Sequence, residues 1–138
     1  MQQLDRFYSF YGEFTSGKLS EIGDLYSNDI VFIDPVRRIE GLPELTQYFE
    51  DLCGGFQECR FDFTKTDVKE RDAYVSWVMH LTSDRLNQGR PVDVEGISHL
   101  QLDESRIFYH RDYFDLGAMI YERVPVLSWC INGIKNRL

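Results

Sequence analysis

Apolar side chains near the start of the chain recur at intervals of three and four: Leu4, Phe7, Tyr8, Phe10, Tyr11 and Phe14. That spacing predicts a helix over 2–15 with a broad aromatic face. Ser16-Gly17 ends it. Leu19, Ile22, Leu25 and Tyr26 keep the helical spacing and predict a second helix over 18–27. Asn28-Asp29 reads as a turn into Ile30-Val31-Phe32-Ile33, a short strand. Pro35 closes it and holds Asp34 extended, because the residue before a proline avoids the helical region. Gly41-Leu42-Pro43 opens a third helix with proline in its first turn. Its apolar face is Leu42, Leu45, Tyr48, Phe49 and Leu52, and Gly54-Gly55 breaks it.

Beyond that point the period changes to two. Alternation predicts strands over 56–69, 73–81, 92–102 and 106–113, with turns at Glu70-Arg71-Asp72 and Asn87-Gln88-Gly89. Consecutive strands joined by tight turns read as an antiparallel meander. The tail turns helical again over 124–138, with Val126, Leu127, Cys130, Ile131, Ile134 and Leu138 in one stripe and Trp129 beside it. Helices first and a meander after predict one α+β domain: a cone-shaped curved antiparallel sheet packed against N-terminal helices, with an added C-terminal helix. A cavity between such layers is where a ligand sits.

Composition narrows the function classes. A chain of 138 residues fits one domain, and an aromatic share of 14% is high for its size. The formal charge of −8 disfavours nucleic acid and anionic membrane as partners. Three cysteines without CxxC spacing suit neither a disulfide framework nor a zinc site, and no metal or other cofactor is expected. With no signal-like or membrane-length apolar run, the expected location is cytoplasmic.

The chemistry-bearing candidates are few. Asp34 ends a strand before proline. His110 and Asp112 are two apart on the last strand and share a face. Tyr11 sits on the aromatic face of the first helix. A carboxylate in an apolar pocket can take or give a proton near neutral pH, a histidine titrates there, and a phenol can donate to a developing oxyanion. Plainer readings stand beside these. Asp34 also suits a simple turn, His110 and Asp112 a self-satisfied buried pair, and Tyr11 the core. No P-loop, GxGxxG, nucleophile elbow or metal-spaced histidine pair is present.

Ile30-Val31-Phe32-Ile33-Asp34-Pro35 followed by Gly41, and Tyr109-His110-Arg111-Asp112-Tyr113-Phe114-Asp115, resemble the SnoaL-like branch of the nuclear transport factor 2-like superfamily. That superfamily includes ketosteroid isomerases, polyketide cyclases and limonene epoxide hydrolases. The resemblance implies Asp34 as a general base and Tyr11 as an oxyanion-hole tyrosine, with Ser98 where the isomerases carry a protonated aspartate. It implies an acid/base role for Asp112 as in the cyclases. Trp77 and Met79 fall where the epoxide hydrolases need arginine and aspartate, so that mechanism is not expected. Phe32, Phe49 and Phe108 complete the expected lining, and Gly96 is read as space for a ligand or relief of strand curvature. Two functions follow from the resemblance. One is a cofactor-free isomerase or cyclase acting on a small apolar or fused-ring carbonyl compound. The other is a non-catalytic binding or interaction domain. Relatives pair through the sheet's convex face, so a homodimer is expected.

Overall fold

The computed structural model describes residues 2–84 and 86–117. The expected C-terminal helix and Trp129 lie outside the described residues. Helix α1 (Gln2–Gly12) buries Leu4, Phe7, Phe10 and Tyr11. Their three- and four-residue spacing puts them on one side of the helix. A 3-10 segment (Ser16–Glu21) and the single turn α2 (Ile22–Leu25) lead into β1 (Tyr26–Ile33). After the short β2 (Arg38–Glu40), helix α3 (Leu42–Cys53) starts behind Gly41, whose φ of +94° is in glycine's range. It buries Leu45, Tyr48 and Phe49. The strands β3 (Glu58–Lys69), β4 (Asp72–Thr82), β5 (Val92–Leu102) and β6 (Ile107–Phe114) follow. The α+β layout is as the periodicity predicts, and these four strands match their expected bounds to within two residues.

Two features differ from the expectation. The sheet is mixed, with strand order β2-β1-β6-β5-β4-β3. The meander β3–β6 is antiparallel, but β1 lies parallel to β6, with Phe32 opposite His110 and Ile33 opposite Arg111. Local pattern does not encode that long-range pairing. The second helix of 18–27 is also replaced. A 3-10 segment and one α-turn precede Tyr26, which already has extended backbone (φ −111°, ψ 146°) and pairs with Ile107. Leu25 and Tyr26 are buried nonetheless, so burial at helical spacing concealed the change of element.

A shift in β3–β4 register between Phe63 and Lys65 marks an irregularity that bends the long hairpin. The concave face carries Val75, Trp77, Met79 and Leu81 from β4 and Val94, Ser98 and Leu100 from β5, all buried. Helices α1 and α3 cover it. Among the described residues, no helix is long and apolar enough to cross a membrane.

Candidate active site

A cavity of about 340 Å³ remains between the concave face and the helices. Tyr11, Phe32, Phe49, Trp77, Met79 and Phe114 are among the side chains that form its apolar wall. Asp34 and Asp112 border it, and both also border a wider recess with Pro35 and Arg111.

Asp112 comes from β6, where it sits opposite Ser98 of β5. Its Oδ1 accepts the Ser98 hydroxyl at 2.5 Å and lies 2.6 Å from His110 Nε2. No other side chain among the described residues bonds the carboxylate, and Asp112 borders the cavity. Ser98 in turn accepts the indole N–H of Trp77 at 2.9 Å. His110 is 1% exposed and lies behind the wall rather than on it. Its Nδ1 is 2.6 Å from the Tyr26 hydroxyl, which is 2.6 Å from the Tyr11 hydroxyl. The rings of Phe7, Tyr11 and Phe32 pack around the imidazole, Phe32 nearest at 4.7 Å between centroids. Burial first, then the neighbouring Tyr26 and Asp112, pushes the Tyr11 phenol well above its usual range. Burial does the same to Tyr26, against the opposing hydrogen bond from Tyr11. Both hydroxyls are therefore held neutral.

Asp34 is more heavily engaged. Its Oδ1 accepts the backbone N–H groups of Val36 and Arg37 at 2.8 and 3.0 Å, the geometry of a turn, and Oδ2 accepts the Tyr48 hydroxyl at 2.6 Å. The turn reading of Asp34 therefore describes much of its environment, although the carboxylate still borders the cavity. Burial and then the bond to Asp34 raise the Tyr48 phenol.

Of the remaining expected lining, Ser98 is buried and reaches the cavity only through Asp112. Phe108 does not line it. The β5–β6 register shifts between Gln101 and Leu102, whose partners are Tyr109 and Ile107, and Phe108 is left unpaired between them. Gly96 makes no room for a ligand: a Cβ there would stand 2.3 Å from the Trp77 ring. The glycine accommodates the indole. Sequence reasoning missed Tyr26, whose spacing read as helix. It also missed Tyr48 as the partner of Asp34, though Tyr48 was placed on the buried face of its helix.

Comparisons with known proteins agree with this fold. No curated protein matches the chain in sequence. Solved structures do match in three dimensions. One is a protein with a ketosteroid isomerase-like fold from Catenulispora acidiphila, in complex with trimethylamine (TM-score 0.73, 13% identity, 86% of this chain and 88% of that one). A SnoaL-like polyketide cyclase candidate from Jannaschia sp. CCS1 is similar (TM-score 0.72, 16% identity, 85% and 88%). So is TerC co-crystallised with polyporic acid (TM-score 0.73, 13% identity, 86% and 95%). At these identities the likeness is one of fold. The sequence itself matches the model of the SnoaL-like domain over residues 5–110, most of the chain and every element from α1 to His110. The chain belongs to the SnoaL-like domain family.

Proposed function

We propose that the cavity binds a small, largely apolar carbonyl compound and that Asp112 moves its protons. The observation that carries this reading is the asymmetry of the Asp112 carboxylate. Ser98 and His110 both engage Oδ1, while Oδ2 has no hydrogen-bond partner among the described residues and Asp112 borders an aromatic cavity. Oδ2 takes a proton from the carbon next to the carbonyl. The C–H bonding pair becomes a C=C bond, and the carbonyl π pair moves onto oxygen. Return of the proton to a different carbon isomerises the compound. Attack by the enolate carbon on a second carbonyl closes a ring. Such chemistry draws on side chains alone. Asp34, with three donors already on it, takes the lesser part at the cavity mouth.

The test is deuterium uptake from D2O by a panel of small cyclic ketones and ketosteroids. Asp112→Asn is expected to lower the exchange rate by about 10²–10⁴, the usual worth of a positioned acid or base, while ligand affinity stays within about threefold, because the amide fills the same space. Equal exchange by wild type and variant removes Asp112 as the base.

A second reading, a binding domain without catalysis, is favoured by one observation. The described cavity lining includes Asp34, Asp51 and Asp112 among aromatic rings, and no lysine or arginine. Carboxylates and aromatic faces suit a compact organic cation, and the similar Catenulispora structure holds trimethylamine. Choline and its neutral isostere 3,3-dimethylbutanol separate the cases. A cation site binds choline at least about tenfold tighter, since a desolvated cation–π contact contributes about 1–2 kcal/mol. Equal binding of the two removes the cation reading.

The convex face supports a proposed homodimer. Ile97 and Tyr113 face each other across β5–β6 and are 45% and 50% exposed, with Tyr74 at 44% on the same side of the sheet. Light scattering at micromolar concentration is expected to return twice the chain mass. A monomer mass contradicts it.

A further inference from the structure

Four side chains from three elements form an unbroken line beneath the cavity: Tyr11 on α1, Tyr26 at the start of β1, and His110 and Asp112 on β6. Each of the three links is 2.6 Å long. With Asp112 ionised and His110 neutral, the hydrogens along the line can be ordered in one way. A carboxylate only accepts, so His110 Nε2 carries the hydrogen. In a neutral imidazole Nδ1 is then an acceptor, so Tyr26 donates to it. The one hydrogen of Tyr26 is thereby used, and Tyr11 donates to Tyr26. Every bond points from the helix toward Asp112. An imidazolium reverses part of the line. Nδ1 then donates to Tyr26, Tyr26 donates to Tyr11, and the Tyr11 hydrogen is released toward the cavity that Tyr11 lines.

We propose that Tyr26 is the positioning residue of a proton relay joining His110, which is sealed from the cavity, to Tyr11 on the cavity wall. The inference rests on the reading of Asp112 as the carbon acid's base and adds a second port for the oxygen. An enol or hydroxyl oxygen against Tyr11 gives its proton to the Tyr11 oxygen. The Tyr11 proton passes to Tyr26, and the Tyr26 proton to Nδ1. The substrate O–H bonding pair stays on its oxygen, and an imidazolium is left beside the Asp112 carboxylate. In reverse, the imidazolium returns the proton along the same path to an oxyanion. No oxidant or cofactor enters. Both phenols begin and end neutral, in keeping with burial that disfavours a phenolate at either position. Ser98 holds Asp112 from the other side, so a change in the relay does not free the carboxylate.

Nitrogen-15 NMR of the histidine rings tests this directly on the ligand-free protein. In wild type, His110 is expected as the Nε2–H tautomer, with Nδ1 at the resonance of a hydrogen-bonded acceptor. Tyr26→Phe should move Nδ1 to the position of an unbonded imidazole nitrogen, and Tyr11→Phe should move it part of the way. Tyr11→Phe and the wild-type tautomer keep the proposal testable should Tyr26→Phe fail to fold. An Nδ1–H tautomer in wild type, or a His110 signal unmoved in the folded variants, overturns the relay. The deuterium-uptake assay separates it from the parent reading. Histidine shifts as expected with exchange insensitive to Asp112→Asn leave the relay standing and remove the base. Loss of exchange in Asp112→Asn with unmoved histidine shifts removes the relay alone.

Discussion

A Cβ on Gly96 would stand 2.3 Å from the Trp77 ring, which packs edge-to-face with Phe61 at 4.9 Å and whose N–H is tied to Ser98. The ring cannot move without giving up one of these contacts. Gly96→Ala is therefore expected to lose about 1–3 kcal/mol of stability, the usual result of overpacking, read as a lower urea midpoint at unchanged slope. Wild-type stability in this variant would show that the indole shifts freely. Ser98 has a different burden, because it accepts from Trp77 and donates to Asp112. Ser98→Ala strands a buried N–H and is expected to lose about 1–3 kcal/mol by the same measurement. An unchanged midpoint would mean that the indole finds another acceptor. Neither role is visible in the sequence, where Gly96 reads as ligand space or curvature relief and Ser98 stands where the resemblance puts a protonated aspartate.

At the scale of elements, the four-strand meander was legible because each strand is half-buried, and alternation of burial is what a period of two reports. The parallel β1–β6 pairing was not legible, since it depends on how the helices return the chain to the far side of the sheet. Leu19, Ile22, Leu25 and Tyr26 keep helical spacing, yet Tyr26 opens β1 and is fully buried. Its hydroxyl meets His110 because β1 and β6 lie side by side, a contact across 84 positions in the chain. Tyr11, Asp34 and Asp112 were nameable from residue type and motif. What joins them to Tyr26, Tyr48 and Ser98 is set by strand register and helix docking. The α3 helix belongs to this scale too. Tyr48→Phe removes the donor from helix to Asp34 while keeping the ring over which Arg37 lies at 5.0 Å. The expected loss is about 1–2 kcal/mol, read by urea unfolding, with the Asp34 turn kept by its two backbone bonds. A loss well beyond that range would mean that the turn itself depends on Tyr48.

For the whole molecule, the buried phenols set the alkaline limit of stability. Burial pushes the pKa of Tyr11 and of Tyr26 well above the unfolded value near 10. A raised value in the fold means the stabilisation is complete below about pH 10 and is lost as pH rises, because the unfolded chain ionises while the folded one does not. The urea midpoint is expected to fall above about pH 10 and to fall less steeply in Tyr26→Phe. A flat alkaline profile would show that water reaches the two hydroxyls. The outer face has its own acid pairs, His80 with Asp62 and Asp93, and His99 with Asp72, set around the exposed apolar residues of the convex side. Function rests on the inner face. The most direct measurement there is deuterium uptake by one bound ketone, followed side by side in wild type, Asp112→Asn and Asp34→Asn. A base at the free oxygen of Asp112 predicts a collapse of about 10²–10⁴ in Asp112→Asn and most of the wild-type rate in Asp34→Asn. Collapse in Asp34→Asn with Asp112→Asn unimpaired would contradict it.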